Sequence, residues 1–123
     1  MAKVEDVQPK PFMARVNAVM SPVDIQPGMM MYGEKGLDYR SDKGGYIFIP
    51  WQNVEYISVE IALGFYYRGF IVKTDEGHTF EFVGGKVKKA LPFVRQHLKP
   101  TQIRQRVTAF QRMKKKWKKR KNK

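Results

Sequence analysis

At 123 residues the chain has room for one domain and an appendage, and eight Phe, six Tyr and two Trp supply material for a core. It has no cysteine, which excludes disulfides and thiolate metal sites and fits a reducing cytoplasm. The formal charge of +13 is unevenly placed: sixteen Lys or Arg and no acid lie from Gly84 to Lys123, leaving eight cations among the first 83 residues against all eleven acids.

A chain divided this way reads as a neutral-to-acidic domain with a basic arm, and such an arm meets a polyanion. The N-terminus, Met1-Ala2-Lys3-Val4-Glu5-Asp6, is charged where a signal peptide needs an apolar run. Residues 1–13, with Pro9 and Pro11, read as a flexible lead-in. The most apolar stretch, from Tyr56 to Tyr67, is interrupted by Glu60 and Gly64 and falls short of the roughly 20 residues a spanning helix needs. The expectation is a soluble or peripheral protein.

From Ala14 to Val83 short apolar runs alternate with glycine turns, the pattern of antiparallel strands. Met29-Met30-Met31-Tyr32 and Leu37 to Arg40 flank the turn Gly33-Glu34-Lys35-Gly36. Ser41-Asp42-Lys43-Gly44-Gly45 is a loop by composition. Tyr46 to Ile49 is a strand ended by Pro50, which cannot donate to a ladder. Asn53 to Leu63 is another, and Tyr67 to Thr74 and Thr79 to Val83 enclose the hairpin loop Asp75-Glu76-Gly77-His78.

The period then changes. Val87, Ala90, Leu91, Val94 and Leu98 form one stripe of a capping helix over 86–98, with Pro92 inside it. Lys99-Pro100 is a break, and Thr101 is placed to cap a second helix. That helix carries Ile103, Val107, Phe110, Met113 and Trp117 among basic residues. The expected fold is mainly β with a C-terminal α element. It is a small antiparallel β-sandwich or barrel of six or seven strands over 14–98, capped by an amphipathic helix, plus a basic helix or tail over 101–123. The pleckstrin-homology-like fold is the best-known arrangement of this order.

Two stretches carry a family resemblance: Gly28-Met29-Met30-Met31-Tyr32-Gly33-Glu34-Lys35-Gly36-Leu37-Asp38-Tyr39-Arg40, then Tyr46-Ile47-Phe48-Ile49-Pro50-Trp51-Gln52-Asn53-Val54-Glu55-Tyr56. Together they resemble the ManO family, small proteins of Gram-positive bacteria encoded with the mannose-type sugar phosphotransferase system. The resemblance runs over roughly residues 22–110, and Ile49-Pro50-Trp51 is its most specific element. It implies a pleckstrin-homology-like domain with an accessory or regulatory role toward the mannose-type permease, whose subunits would be the protein partner. The tail beyond Met113 is more basic than the family pattern.

Chemistry-bearing motifs are missing from the sequence. His78 sits in a hairpin loop and His97 near a helix end, neither with a ligand partner at metal spacing; both read as solvent-facing. Gly84-Gly85-Lys86 lacks the first glycine and the Ser/Thr of a phosphate loop and reads as a strand-to-helix turn. His97 lies at the wrong helix end to carry a phosphate, and His78 neighbours Asp75 and Glu76. Trp51 reads as a core residue. Alternation along Met29-Met30-Met31 puts part of the run in the core and leaves a methionine at the surface. The expectation is a non-enzymatic protein with no cofactor, no metal and no small-molecule substrate.

The basic segment carries the functional reading, because a solubility tail has no need of Phe110 and Trp117. The binding residues are Arg104, Arg106, Val107, Phe110, Arg112, Met113, Lys114, Lys115, Lys116, Trp117, Lys118, Lys119 and Arg120. Three partners suit a basic amphipathic helix: an anionic membrane surface, a nucleic acid, or a groove on a protein. No row of Asn, Gln and Arg at base-reading positions is visible. The preferred reading is a cytoplasmic adaptor, peripheral at the inner face of the cell membrane. The alternative is a nucleic-acid-binding regulator of the mannose operon.

Overall fold

Eight strands and one helix follow the turn signals of the chain. The computed structural model describes residues 11–107. The elements are β1 (Phe12–Ser21), β2 (Asp24–Tyr32), β3 (Gly36–Ser41), β4 (Tyr46–Pro50), β5 (Val54–Ala62), β6 (Tyr66–Thr74), β7 (Thr79–Gly84), α1 (Val87–Val94) and β8 (Ile103–Val107). All strands join one sheet in the order β4-β3-β2-β1-β7-β6-β5-β8, curled into a half-barrel. Six of the seven strand pairings are antiparallel, and β8 runs parallel to β5 at the edge.

Alternation decides what faces inward. Along β1, Ala14, Val16 and Ala18 are buried while Met13, Arg15 and Asn17 are exposed, the period-2 signature of a sheet with one wet face. On β2, Met30 and Tyr32 are buried and Met31 is exposed, so the methionine run divides between core and surface. The inner face is aromatic: Phe70 and Phe82 stand 5.3 Å apart across β6 and β7, and Tyr39 is 5.6 Å from Phe82. Gly69 sits opposite because an added Cβ would come within 2.2 Å of the Phe82 carbonyl.

α1 covers the open side of this curl with Val87, Ala90, Leu91, Phe93 and Val94. It is shorter than the 86–98 stripe implied. Pro92 lies in its second turn, where the missing N–H leaves the Lys88 carbonyl without its helical donor, and the helix ends two residues later. Beyond it the chain continues in single turns, with the amides of His97 and Leu98 donating to the Val94 carbonyl at 2.9 and 3.0 Å. These turns bring Leu98 into the core.

The turn into α1 is fixed by a buried tyrosine. Gly84, Gly85 and Lys86 have φ of +91°, +75° and +48°, a left-handed run that favours glycine. The Tyr32 hydroxyl donates to the Gly85 carbonyl at 2.7 Å, and a Cβ on Gly85 would stand 2.7 Å from that hydroxyl.

Three expectations are corrected. The sheet has eight strands rather than six or seven. The lead-in overlaps β1, which starts at Phe12 because its ring packs 5.0 Å from Tyr32. The second helix over 101–123 does not begin as a helix. Pro100–Gln102 is a 3-10 turn, with Thr101 inside it, and residues 103–107 are β8. Residues 108–123 lie outside the described residues.

Gly85→Ala is expected to destabilise the fold by about 2–3 kcal/mol, through the left-handed φ and displacement of the tyrosine. Tyr32→Phe should cost about 1–2 kcal/mol by leaving the Gly85 carbonyl unpaired. Burial also pushes the Tyr32 phenol well above its ordinary value. Its stabilising contribution is therefore complete below about pH 10 and shrinks as pH rises above it, because the unfolded chain ionises first. Urea titrations at neutral and alkaline pH should show that this alkaline loss is smaller in Tyr32→Phe.

Candidate functional site

β5 is buried on both faces, and this sets up the most concentrated charge cluster among the described residues. Ile57 and Val59 face the core, while Ser58 and Glu60 are nearly inaccessible on the opposite side. A carboxylate in that position needs cations. Arg68 on β6 donates to Glu60 Oε1 at 3.1 Å, and Arg106 on β8 reaches Oε2 at 3.2 Å. Arg68 also stands 3.7 Å from Glu81 on β7. One row of side chains thus ties four adjacent strands together.

Arg104 completes the attachment of β8. Its guanidinium lies over the Tyr56 ring at 4.0 Å from the centroid, a cation–π contact. Upstream, Gln102 Nε2 donates to the Val54 carbonyl at 3.0 Å, and its Oε1 accepts from the Lys99 amide at 2.9 Å. The register is Ile57 with Ile103, Glu60 with Arg106 and Ile61 with Val107. Val107 therefore ends level with Ile61, just short of the β5–β6 turn.

That turn exposes Leu63, Phe65 and Tyr66. Behind it Lys88 Nζ lies 5.4 Å from the centroid of Tyr67, and Lys86 and Lys89 are exposed nearby on the α1 side. The far end of the sheet has the opposite charge. Asp24, Asp42, Asp75 and Glu76 occupy the β1–β2, β3–β4 and β6–β7 turns. Arg15 is engaged there by Asp42 at 2.6 and 3.0 Å, and it holds that carboxyl below its ordinary value. Among the described residues the acidic turns thus gather at one set of strand ends, while Lys86, Lys88 and Lys89 stand on the side where β8 ends.

A second feature lies beside α1, an open cleft of about 1010 Å³ next to Trp51 and His97. The Trp51 indole donates to the Gly33 carbonyl at 2.8 Å and is almost wholly buried, as expected of a core residue. His97 is not solvent-facing. The turns after Pro92 lay it flat on the indole, with centroids 4.9 Å apart and planes 3° from parallel. Its buried Nε2 has no hydrogen-bond partner among the described residues, and the Glu34 carboxylate stands 3.9 Å away. His78 is exposed, as the hairpin loop implies. No group of three His, Cys, Asp or Glu able to hold a metal exists among the described residues.

The residues expected to bind therefore divide. Arg104 and Arg106 stand on β8, each engaged with β5, and Val107 closes that strand. Phe110, Arg112, Met113, Lys114, Lys115, Lys116, Trp117, Lys118, Lys119 and Arg120 lie outside the described residues. Sequence reasoning missed Glu60 as an anchor, although an acid inside the apolar run Ile57 to Leu63 was its signal. It also missed the apolar β5–β6 turn, whose signal was Leu-Gly-Phe-Tyr where turns are ordinarily polar.

A family model described as "Domain of unknown function (DUF956)" matches residues 13–117. No curated protein matches the chain. Among solved structures it is similar to the C-terminal domain of an unknown protein from Leishmania infantum, with TM-score 0.59, 12% identity, and 70% of this chain and 80% of that one covered. It is also similar to a chain of the Spt16D Pob3N heterodimer, with TM-score 0.58, 12% identity, and 80% and 56% covered. At that identity the likeness extends to the fold alone.

Glu60→Gln is expected to loosen β8. Hydrogen–deuterium exchange of the Ile103–Val107 amides should quicken, with a stability loss of about 1 kcal/mol. That is well below the figure for a fully buried pair, because Arg68 and Arg106 are 41% and 54% exposed.

Proposed function

This chain belongs to the DUF956 family, and we propose that it is a non-enzymatic accessory protein held at an anionic membrane face. There it binds the cytoplasmic side of a mannose-type phosphotransferase permease. The observation that carries the membrane half is the charge polarity of the folded part. Acidic turns occupy one end, and β8 releases the chain at the other, where nine Lys or Arg and no acid follow Thr108. Each such cation near an anionic surface is worth about 1 kcal/mol, so even a heavily discounted sum holds a protein of this size.

The permease half rests on the resemblance of residues 28–40 and 46–56 to the ManO family. A curled sheet closed by one helix is compatible with the pleckstrin-homology-like domain that the resemblance implies. No helix among the described residues is long and apolar enough to cross a membrane, so a peripheral mode of attachment suits the described part. The described surface of the sheet serves as the scaffold and the basic segment as the tether.

The structure also determines where the tether is cut for a test. Removing residues 101–123 would take β8 with it and leave Glu60 with one of its two arginines, whereas removing 108–123 spares the strand. The full chain should co-sediment with vesicles containing phosphatidylglycerol and detach as salt rises from about 0.1 M to about 0.5 M. The 108–123 deletion should stay in the supernatant and unfold at the same temperature. Permease subunits, identified by mass spectrometry, should be enriched on the full chain in a pull-down from host membranes. Equal binding to purely zwitterionic vesicles, or a sequence-selective shift of duplex DNA at physiological salt, would overturn the reading.

A further inference from the structure

The β5–β6 turn departs from ordinary turn chemistry in two ways. The Phe65 amide donates to the Ala62 carbonyl at 3.2 Å, and the two residues between, Leu63 and Gly64, have φ of +58° and +80°. Two successive positive φ values make a primed turn, whose preferred sequence is Asn-Gly. This turn has Leu-Gly, and a γ-branched aliphatic residue in the left-handed region is strained. The residues that follow are also apolar, with Phe65 71% and Tyr66 56% exposed. Folding gains nothing from a strained leucine and a bare phenylalanine at a hairpin tip, and strain kept at a surface is a pointer to function.

The surroundings identify what covers the tip. β8 ends level with Ile61, so the cationic segment continues from beside it. Lys88 lies over Tyr67 on its other side. The acid nearest in sequence, Glu60, is buried and neutralised by Arg68 and Arg106. The acidic turns stand at the opposite end of β6 and β7. An exposed apolar turn with Lys88 beside it, its one near acid neutralised and the acidic β1–β2, β3–β4 and β6–β7 turns at the other strand ends, is complementary to an anionic bilayer. Its rings and leucine enter the acyl boundary while the ammonium groups stay at phosphate depth.

We infer that the 63–66 turn is a membrane-inserting wedge that enters an anionic phospholipid bilayer beside the C-terminal cationic segment and sets the orientation of the sheet on it. This deepens the peripheral reading above and rests on it. The segment supplies long-range, salt-sensitive attraction, and the wedge supplies a short-range contact that salt does not screen. The acidic end then points away from the membrane.

The full chain has no cysteine, so single labels are straightforward. Phe65→Cys and Val23→Cys, the latter at the opposite tip, each take a nitrobenzoxadiazole label. On phosphatidylcholine–phosphatidylglycerol vesicles the label at 65 should shift to the blue and be quenched by nitroxides on the lipid acyl chains, while the label at 23 should not. Phe65→Ser should weaken vesicle binding about tenfold, the loss expected from one aromatic side chain. Leu63→Asn should weaken it too while leaving the unfolding temperature equal or higher, because asparagine tolerates the turn. If the chain binds vesicles but the label at 65 stays in water, the wedge is refuted and the cationic tether stands. If Phe65→Ser loses permease subunits in the pull-down but keeps full vesicle affinity, the tip is a protein contact and the wedge is refuted. If the full chain binds no anionic vesicle, both readings fall.

Discussion

The hydrogen bond from the Tyr32 hydroxyl to the Gly85 carbonyl is the contact on which the rest of the arrangement depends. A curled sheet has an open side, and here one two-turn helix covers it. A helix of eight residues has little stability of its own and is held by what it packs on. Its angle onto the sheet is set by the left-handed run of Gly84, Gly85 and Lys86, and Tyr32 pins the middle of that run from within the core. Everything downstream inherits the direction. The turns after Pro92 seat Leu98 in the core and lay His97 on Trp51, and Gln102 then delivers the chain to the free edge of β5.

At that edge lies the single parallel pairing among the described residues. Parallel strands need a long connection; here the chain from β5 runs through β6 and β7, and α1 with its trailing turns then carries it from β7 to β8. β8 is held by its ladder to β5, by Arg106 on Glu60 and by Arg104 on Tyr56, with Ile103 packed on the core behind. Glu60 is therefore both a structural anchor and a neutraliser. It removes the only acid from the end of β5 that would otherwise oppose the cations around it. The charge asymmetry of the sequence becomes a directional property of the fold, with negative turns at one end and positive groups at the other.

Much of the sheet was legible because antiparallel strands with one wet face write themselves as period-2 alternation between glycine turns. The turns at 33–36, 41–45 and 75–78 and the stop at Pro50 fall where local chemistry demands them. β8 was not legible, for a reason specific to its residues. Ile103 and Val107 are four apart, an even number and also close to one helical turn, so they share a face in a strand and in a helix alike. Intrinsic pattern could not arbitrate. The edge of β5 could, because its buried Glu60 takes Arg106 and its Tyr56 ring takes Arg104, two arginines at alternate positions of one strand.

The sequence alone determined the composition of the layers, the positions of the turns, the apolar stripe of α1 and the separation of charge along the chain. Each of these follows from near-neighbour physics: glycine conformational freedom, proline's missing donor, and apolar periodicity. Only the tertiary structure decided the rest. It placed His97 against Trp51, gave Glu60 its two arginines, made a strand of 103–107, and set the apolar 63–66 turn beside the outlet of the basic segment. Apart from Arg68 on Glu60, these are contacts between residues tens of positions apart. Their energies depend on burial and on charges brought together by folding, and no local pattern in the chain encodes those.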